Sequence, residues 1–301
     1  MPLSGSITAL ATPFTAAGEI DLDAWQRLLR QQLAGGTEAL VVAGSTGEAA
    51  ALYDLEYEAL LRSAVEVVGG KVPVVVGTGL SNTAKSIEQA RRAAALGADM
   101  ALVVVPPYVR PTQAGMEAHF LAIADDGALP VLLYNVPSRT GSDMQPETTA
   151  RLARHPRIIG IKEARNDPGR MQALLPLRND GFVVLSGDDP TAARAMLAGA
   201  DGIVSVASNV LPRAMRRLCD LARNGHADEA AALDGELQPL FDFLAVEPNP
   251  IPLKALLARM QFGHGLRLPL LPLSQGHAGE AVLASTRIQH LEQACRDTSA
   301  A

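Results

Sequence analysis

Strand-like and helix-like patterns alternate eight times along this chain, and no other property restricts its fold as much. Apolar runs predict strands over 6–11, 39–43, 72–76, 100–105, 131–134, 158–162, 182–185 and 202–206. Amphipathic spacing predicts a helix after each strand. The first runs from an Asp21 cap to Gly35-Gly36, and the others cover 54–68, 83–96, 113–124, 146–153, 171–177, 191–198 and 212–222. Eight such pairs in about 220 residues predict an α/β fold of the (β/α)8 TIM-barrel class. The strands are near-continuous apolar runs, as a parallel sheet covered on both faces requires. A doubly wound open sheet is the alternative. It lacks support, because Gly77-Thr78-Gly79 has no third glycine and follows the third strand rather than the first.

Beyond about residue 224 the composition shifts toward alanine and leucine, with helical patterns over 227–244, 252–260 and 279–295. The expected division is a catalytic barrel over 1–224 and a C-terminal helical appendage over 225–301. The Glu247-Pro248-Asn249-Pro250-Ile251-Pro252 segment between the first two of these helices is stiff, since each proline fixes a φ angle.

A chain of 301 residues that is 48% hydrophobic can bury a sizeable core. Its net charge of -6, with no Lys/Arg run, argues against nucleic acid as a partner. No apolar run approaches the roughly 20 residues of a membrane span. The Met1-Pro2-Leu3-Ser4-Gly5 start lacks the layout of a signal peptide. Cys219 and Cys295 lie far apart in helical patterns, which fits a reducing compartment. The scattered histidines show no ligand spacing, so no metal is expected.

The sixth run, Ile158-Ile159-Gly160-Ile161-Lys162, is apolar and ends in a lysine. Alternation puts Ile159 and Ile161 on one face and Ile158, Gly160 and Lys162 on the other, with Gly160 leaving room beside the lysine. An amine in apolar surroundings loses solvation, which lowers its pKa and exposes a nucleophile able to form an imine with a carbonyl. The other reading is that Lys162 merely marks where the strand reaches water.

Barrel enzymes build their sites at the C-terminal ends of strands. Those ends carry Gly44-Ser45-Thr46-Gly47-Glu48, then Tyr108 and Arg110, then Tyr134 followed by Asn135-Val136-Pro137-Ser138-Arg139-Thr140-Gly141, then Lys162, Ser186-Gly187-Asp188, and Val204-Ser205. Tyr134 and Lys162 end neighbouring strands, about 4.8 Å apart. A phenol beside an amine can shuttle the protons of imine chemistry, and Ser45 and Thr46 extend such a relay. Gly44 and Gly47 let backbone amides approach an anion. Arg139 offers a planar fork for a carboxylate. Each has a plainer reading: Tyr134 as a core phenol bonded to backbone, Ser45-Thr46 as a helix cap, Arg139 as a surface ion pair.

At these residues the chain resembles the dihydrodipicolinate synthase family of pyruvate-dependent class I aldolases. The resemblance spans nearly the whole chain and is most specific at Tyr134-Asn135-Val136-Pro137-Ser138-Arg139-Thr140-Gly141. Gly44-Ser45-Thr46-Gly47-Glu48 is shared with N-acetylneuraminate lyases. The resemblance implies a 4-hydroxy-tetrahydrodipicolinate synthase, a lyase that condenses pyruvate with L-aspartate-β-semialdehyde on the diaminopimelate and lysine route. It implies Lys162 as the imine-forming residue and Tyr134 as proton donor and acceptor. Thr46 and Tyr108 continue the relay beside Ser45, with Tyr108 entering a neighbouring subunit's site. Substrate binding falls to Thr46, Arg139 and the Val204 main chain; Gly187, at the end of strand seven, is placed with them. A cytoplasmic homotetramer without metal or organic cofactor is implied. Ser45 stands where threonine is common, Val109 where asparagine is common, and Pro107 where tyrosine is frequent.

Another pyruvate aldolase, a neuraminate or 2-keto-3-deoxy-sugar lyase, is the competing function. Arg139 argues against it, since a polyhydroxylated substrate has no evident need of a guanidinium there. A non-catalytic ligand-binding barrel would lack Lys162 or Tyr134. Regulated members of the family bind L-lysine near the helix after strand two. There the positions of Asp54, Tyr57, Ser81, Lys85 and Pro107 are typically His, His, Asn, Glu and Tyr. Lys85 in place of a glutamate implies weak or absent inhibition by lysine.

Overall fold

The computed structural model describes residues 3–298; Met1, Pro2 and residues 299–301 lie outside them. Within it, eight parallel strands close into a barrel in sequence order, β8 pairing back to β1. Each strand feeds a helix. The first half comprises β1 (Gly5–Ala9), α1 (Leu22–Ala34), β2 (Ala39–Val42), α2 (Asp54–Val68), β3 (Val74–Gly77), α3 (Thr83–Ala95), β4 (Met100–Val104) and α4 (Gln113–Asp126). The second half begins with β5 (Val131–Asn135), α5 (Pro137–Thr140), α6 (Pro146–Leu152), β6 (Ile158–Glu163) and α7 (Pro168–Leu174). It ends with β7 (Val183–Ser186), α8 (Ala192–Leu197), β8 (Gly202–Ser205) and α9 (Pro212–Arg223). Three further helices follow: α10 (Ala227–Leu244), α11 (Ile251–Arg259) and α12 (Ala278–Thr298).

Local chemistry sets these boundaries. Asp21, Asn82 and Thr112 cap α1, α3 and α4 by accepting a backbone N–H from Ala24, Lys85 and Gly115. Proline occupies the first turn of α6, α7 and α9, where its missing N–H costs nothing. β3 starts at Val74 rather than residue 72, after Pro73, which has no N–H to give the ladder. The run after β5, read from sequence as loop, contains the single helical turn α5.

Period-2 alternation divides the apolar side chains into two layers. Ile7, Ala9, Val41, Val75, Leu102, Leu132, Val183, Leu185 and Val204 fill the barrel. Leu40, Val42, Val76, Val103, Leu133, Ile161 and Val184 face outward and pack with Trp25, Leu28, Leu60 and Phe120 of the helices. One strand breaks the expected alternation. On β6, Ile158 and Ile161 both belong to the outer layer, while Ile159 packs against the inner one. The cause is a bulge: Val131 pairs Ile158 but Leu132 pairs Gly160, so Ile159 is the extra residue. Past the bulge the phase is right, and Lys162 points inward.

The C-terminal helices are applied to the barrel. α10 and α12 both pack on α9, and α12 packs on α11. Glu292 of α12 accepts the backbone amides of Arg213 and Ala214, capping α9 from a distant part of the chain. Among the described residues no helix is long and apolar enough to cross a membrane. None of their His, Cys, Asp and Glu side chains form a group of three or more placed to hold a metal.

Candidate active site

A cavity of about 180 Å³ opens at the C-terminal end of the barrel. Its wall includes Gly44, Ser45 and Thr46 after β2, Tyr134 of β5, Ser138 and Arg139 of α5, Lys162 of β6, Gly187 after β7, Val206 after β8, and Asn249. A wider groove of about 710 Å³ is lined by α10, α12 and Val246 and reaches no strand end. The strand-end residues therefore converge on the smaller space.

Lys162 is 6% exposed, so it does not mark a strand reaching water. It makes no ion pair among the described residues. Its Nζ lies 4.2 Å from the centroid of the Tyr134 ring, its register partner on β5. The next residue, Glu163, points the other way. It is buried, accepts both Asn135 Nδ2 contacts at 2.9 and 3.1 Å and the Arg165 amide at 2.9 Å, and lies 3.8 Å from Arg170. Burial pushes the Glu163 carboxyl up, opposed by these hydrogen bonds and by Arg170. The strand thus keeps its carboxylate away from its amine.

The room for Lys162 comes from a different glycine than the sequence suggests. A Cβ on Gly160 would meet Val183 at 2.5 Å, so that glycine admits the neighbouring strand. A Cβ on Gly187 would lie 2.8 Å from Lys162 Cε and 3.1 Å from its Cγ. Gly187 is the position that the lysine side chain crosses.

The 44–48 turn is strained at both ends, with φ of +50° at Ala43 and +53° at Glu48. The amides of Gly47, Glu48 and Ala49 close it on the carbonyls of Gly44 and Ser45. Those of Ser45 and Thr46 make no bond within the described residues. Neither hydroxyl caps a helix, since the short turn that follows is led by Glu48 with no side-chain cap. Thr46 is buried, and its Oγ1 accepts a hydrogen bond from Asn249 Nδ2 at 3.0 Å; Ser45 is exposed.

Arg139 makes no ion pair among the described residues. Its Nη2 donates to the Asn249 carbonyl at 2.8 Å, at the mouth of the cavity. The Tyr134 hydroxyl is bonded to no backbone group among the described residues. The plainer contacts are thus not made among the described residues, though Tyr134 is packed in the inner core and Arg139 is exposed.

Two expected residues do not line the cavity. Val204 lies deeper, 1% exposed among the inner side chains, and Val206 takes its place in the wall. Tyr108 is 92% exposed with φ of +71° and is not part of this cavity's wall. Besides Val206, Asn249 escaped the sequence reading. Asn249 touches both Thr46 and Arg139, and the three-proline segment around it was its only local signal.

The Dihydrodipicolinate synthetase family model matches residues 2–285. The chain belongs to this family. It is 68% identical over 277 residues to the 4-hydroxy-tetrahydrodipicolinate synthase of Xanthomonas axonopodis pv. citri, covering 92% of each chain. It is 66% identical over 281 residues to the enzyme of that name from Stenotrophomonas maltophilia strain K279a, covering 93% of this chain and 95% of the relative. Among solved structures it is similar to the chloride-inhibited dihydrodipicolinate synthase of Acinetobacter baumannii complexed with pyruvate. That similarity has a TM-score of 0.93 and 39% identity, over 95% of this chain and 99% of the other. A member of the dihydrodipicolinate synthetase family is thus in hand with its barrel closed and its lysine facing the cavity.

Proposed function

We propose that this chain condenses pyruvate with L-aspartate-β-semialdehyde, as a 4-hydroxy-tetrahydrodipicolinate synthase on the diaminopimelate and lysine route. The observation that carries the reading is the sealed, unpaired amine of Lys162 opening on a cavity walled by Tyr134, Thr46 and Arg139.

In this reading the Lys162 amine attacks C2 of pyruvate, and water leaves to give an imine. Tyr134 moves the protons that addition and dehydration require, with Thr46 and Ser45 beside it. The Ser45 and Thr46 amides and the Gly187 backbone meet the pyruvate end of the cavity, with Val204 beneath. Loss of a C3 proton gives an enamine, whose carbon attacks the aldehyde. Arg139, at the mouth, holds the carboxylate of the aldehyde substrate in a bidentate fork. The product's amine then attacks the imine carbon, closes the ring and expels the Lys162 amine. No metal or organic cofactor takes part.

A homotetramer in the cytoplasm belongs to the same reading. The exposed Tyr108 then completes the relay of a neighbouring subunit. We also take residues 225–301 as a helical appendage to a barrel of residues 1–224, one that lends Asn249 to the site.

The test is pyruvate consumption by the purified protein with and without L-aspartate-β-semialdehyde. Consumption that depends on the aldehyde and yields the cyclic condensation product supports the synthase. Pyruvate release from N-acetylneuraminate or a 2-keto-3-deoxy sugar, with no aldehyde-dependent consumption, would move the chain to the lyases.

A further inference from the structure

The turn carrying Ser45 and Thr46 is held by α11 and the segment that leads into it. Asn249 Nδ2 donates to Thr46 Oγ1 at 3.0 Å, and two residues further along the turn Lys254 Nζ donates to Glu48 Oε1 at 2.6 Å. The other carboxylate oxygen of Glu48 accepts the Arg267 amide at 3.1 Å. The ion pair is sealed: the side chains of Lys254 and Glu48 are 3% and 2% exposed. Lys254 Nζ also lies 4.0 Å from the centroid of the Phe14 ring. Glu48 holds a left-handed conformation that a non-glycine residue keeps only when its surroundings fix it.

Such a pair is a poor source of stability, because desolvating both charges offsets their attraction. What it supplies is geometry, and the geometry it fixes is one wall of the cavity. We propose that Glu48 and Lys254 are positioning residues for the condensation. Their ion pair locks the turn after β2 so that Thr46 and the neighbouring amides face Lys162. The inference rests on the reading of this cavity as a pyruvate site.

The charged groups acting on Lys254 are Glu48 and, more weakly, Arg267; the Phe14 ring lies against Nζ, and Arg259 and His264 line the same side pocket as the lysine. Burial pushes the Lys254 ammonium down to about 8 against the pull of Glu48. Above that pH the lysine loses its charge and the turn loses its lock. Linkage separates this from a role in stability alone. The folded pKa lies below the ordinary value of 10.5, so between the two only the unfolded chain holds the proton. The contribution of this group to stability therefore rises with pH across that window. Positioning weakens where stability from the same residue does not.

The experiment measures kcat/KM for pyruvate, and the rate of borohydride trapping, from pH 7 to 9.5 in the full-length protein. Wild type, Lys254→Met and the Glu48→Gln/Lys254→Met double variant are compared, with folding checked by circular dichroism and Tm. At pH 7 Lys254→Met should lose about tenfold to a hundredfold in kcat/KM while folded, as a misplaced binding wall does. The gap to wild type should close above pH 8, and the double variant should be little worse than the single. A gap that is absent at pH 7, or that stays constant with pH while Tm falls, overturns the proposal. If the methionine variant does not fold, Lys254→Arg decides. Its charge persists, so its kcat/KM should hold above pH 8 where the wild type declines, and a parallel decline overturns the proposal. Failure of the wild type itself to trap pyruvate would instead fault the reading of the cavity.

Discussion

The Lys162 ammonium lies over the face of the Tyr134 ring, 4.2 Å from its centroid, and not against its hydroxyl. The tyrosine therefore has two separable roles. Its ring holds the amine by packing and cation–π attraction, and its hydroxyl is left to move protons. Tyr134→Phe keeps the first and removes the second. Pyruvate should still be trapped on Lys162, but more slowly, while kcat falls by about 10²–10³-fold. Steady-state kinetics beside borohydride trapping check this. An unchanged kcat would remove Tyr134 from the relay.

Gly187→Ala tests the space that Lys162 occupies. The added methyl would sit 2.8 Å from Lys162 Cε and 3.0 Å from the Ala164 Cβ, so the lysine side chain must shift. Because its far end is flexible, the cost in stability should be small, about 1 kcal/mol, near the low end for overpacking. The cost in kcat/KM for pyruvate should be larger, on the order of a hundredfold, since a displacement near 1 Å suffices for that. A denaturation curve and a rate measurement on one sample separate the two. Gly160→Ala should behave the other way. Its methyl would meet the Val183 carbonyl at 2.5 Å, so β6 and β7 must separate and stability should fall first.

Arg139→Ala should act on the aldehyde and not on pyruvate. The guanidinium is anchored to the Asn249 carbonyl at the mouth, and the Ser45–Thr46 turn lies at a different part of the wall. KM for the aldehyde should rise by at least tenfold, while pyruvate trapping persists. Loss of trapping would assign Arg139 to the pyruvate carboxylate.

L-Lysine should inhibit weakly or not at all. Lys85 is exposed where a glutamate would pair the ligand's ammonium. The carboxylate that could replace it, Asp54, is 2.8 Å from Arg92 Nη1. Tyr57 is buried with its hydroxyl on the Gly77 carbonyl, and Ser81 Oγ donates to the Pro107 carbonyl. At about 4 Å and an effective dielectric near 20, the lost attraction and the new repulsion are each on the order of 4 kcal/mol before screening. Half-inhibition at sub-millimolar lysine and saturating pyruvate would show the pocket rebuilt.

The barrel was legible because its signals are local. The helix over 54–68 is amphipathic and ends at a glycine pair, and it is found at those residues. The phase of β6 was legible only past its bulge. Ile158-Ile159 is apolar on both sides, so nothing in the run marks which isoleucine is extra. Tyr134, Lys162, Thr46 and Arg139 could be placed at the cavity because strand ends converge in this fold. The roles of Gly187 and Asn249 could not, since they depend on contacts across distant parts of the chain. Asn249 and Thr46 are 203 residues apart, and the choice between Gly160 and Gly187 turns on which neighbour crosses which glycine. The Glu48–Lys254 pair was hidden for the same reason.

The most direct measurement is borohydride reduction in the presence of pyruvate, followed by mass mapping of the modified lysine. Of Lys71, Lys85, Lys162 and Lys254, only Lys162 and Lys254 are buried, and Lys254 is held by Glu48 at 2.6 Å. The adduct should add the mass of a reduced pyruvyl group to the peptide containing Lys162, and Lys162→Ala should abolish it. Labelling at Lys254, Lys71 or Lys85, or no pyruvate-dependent labelling at all, would contradict the assignment of Lys162 as the imine-forming residue.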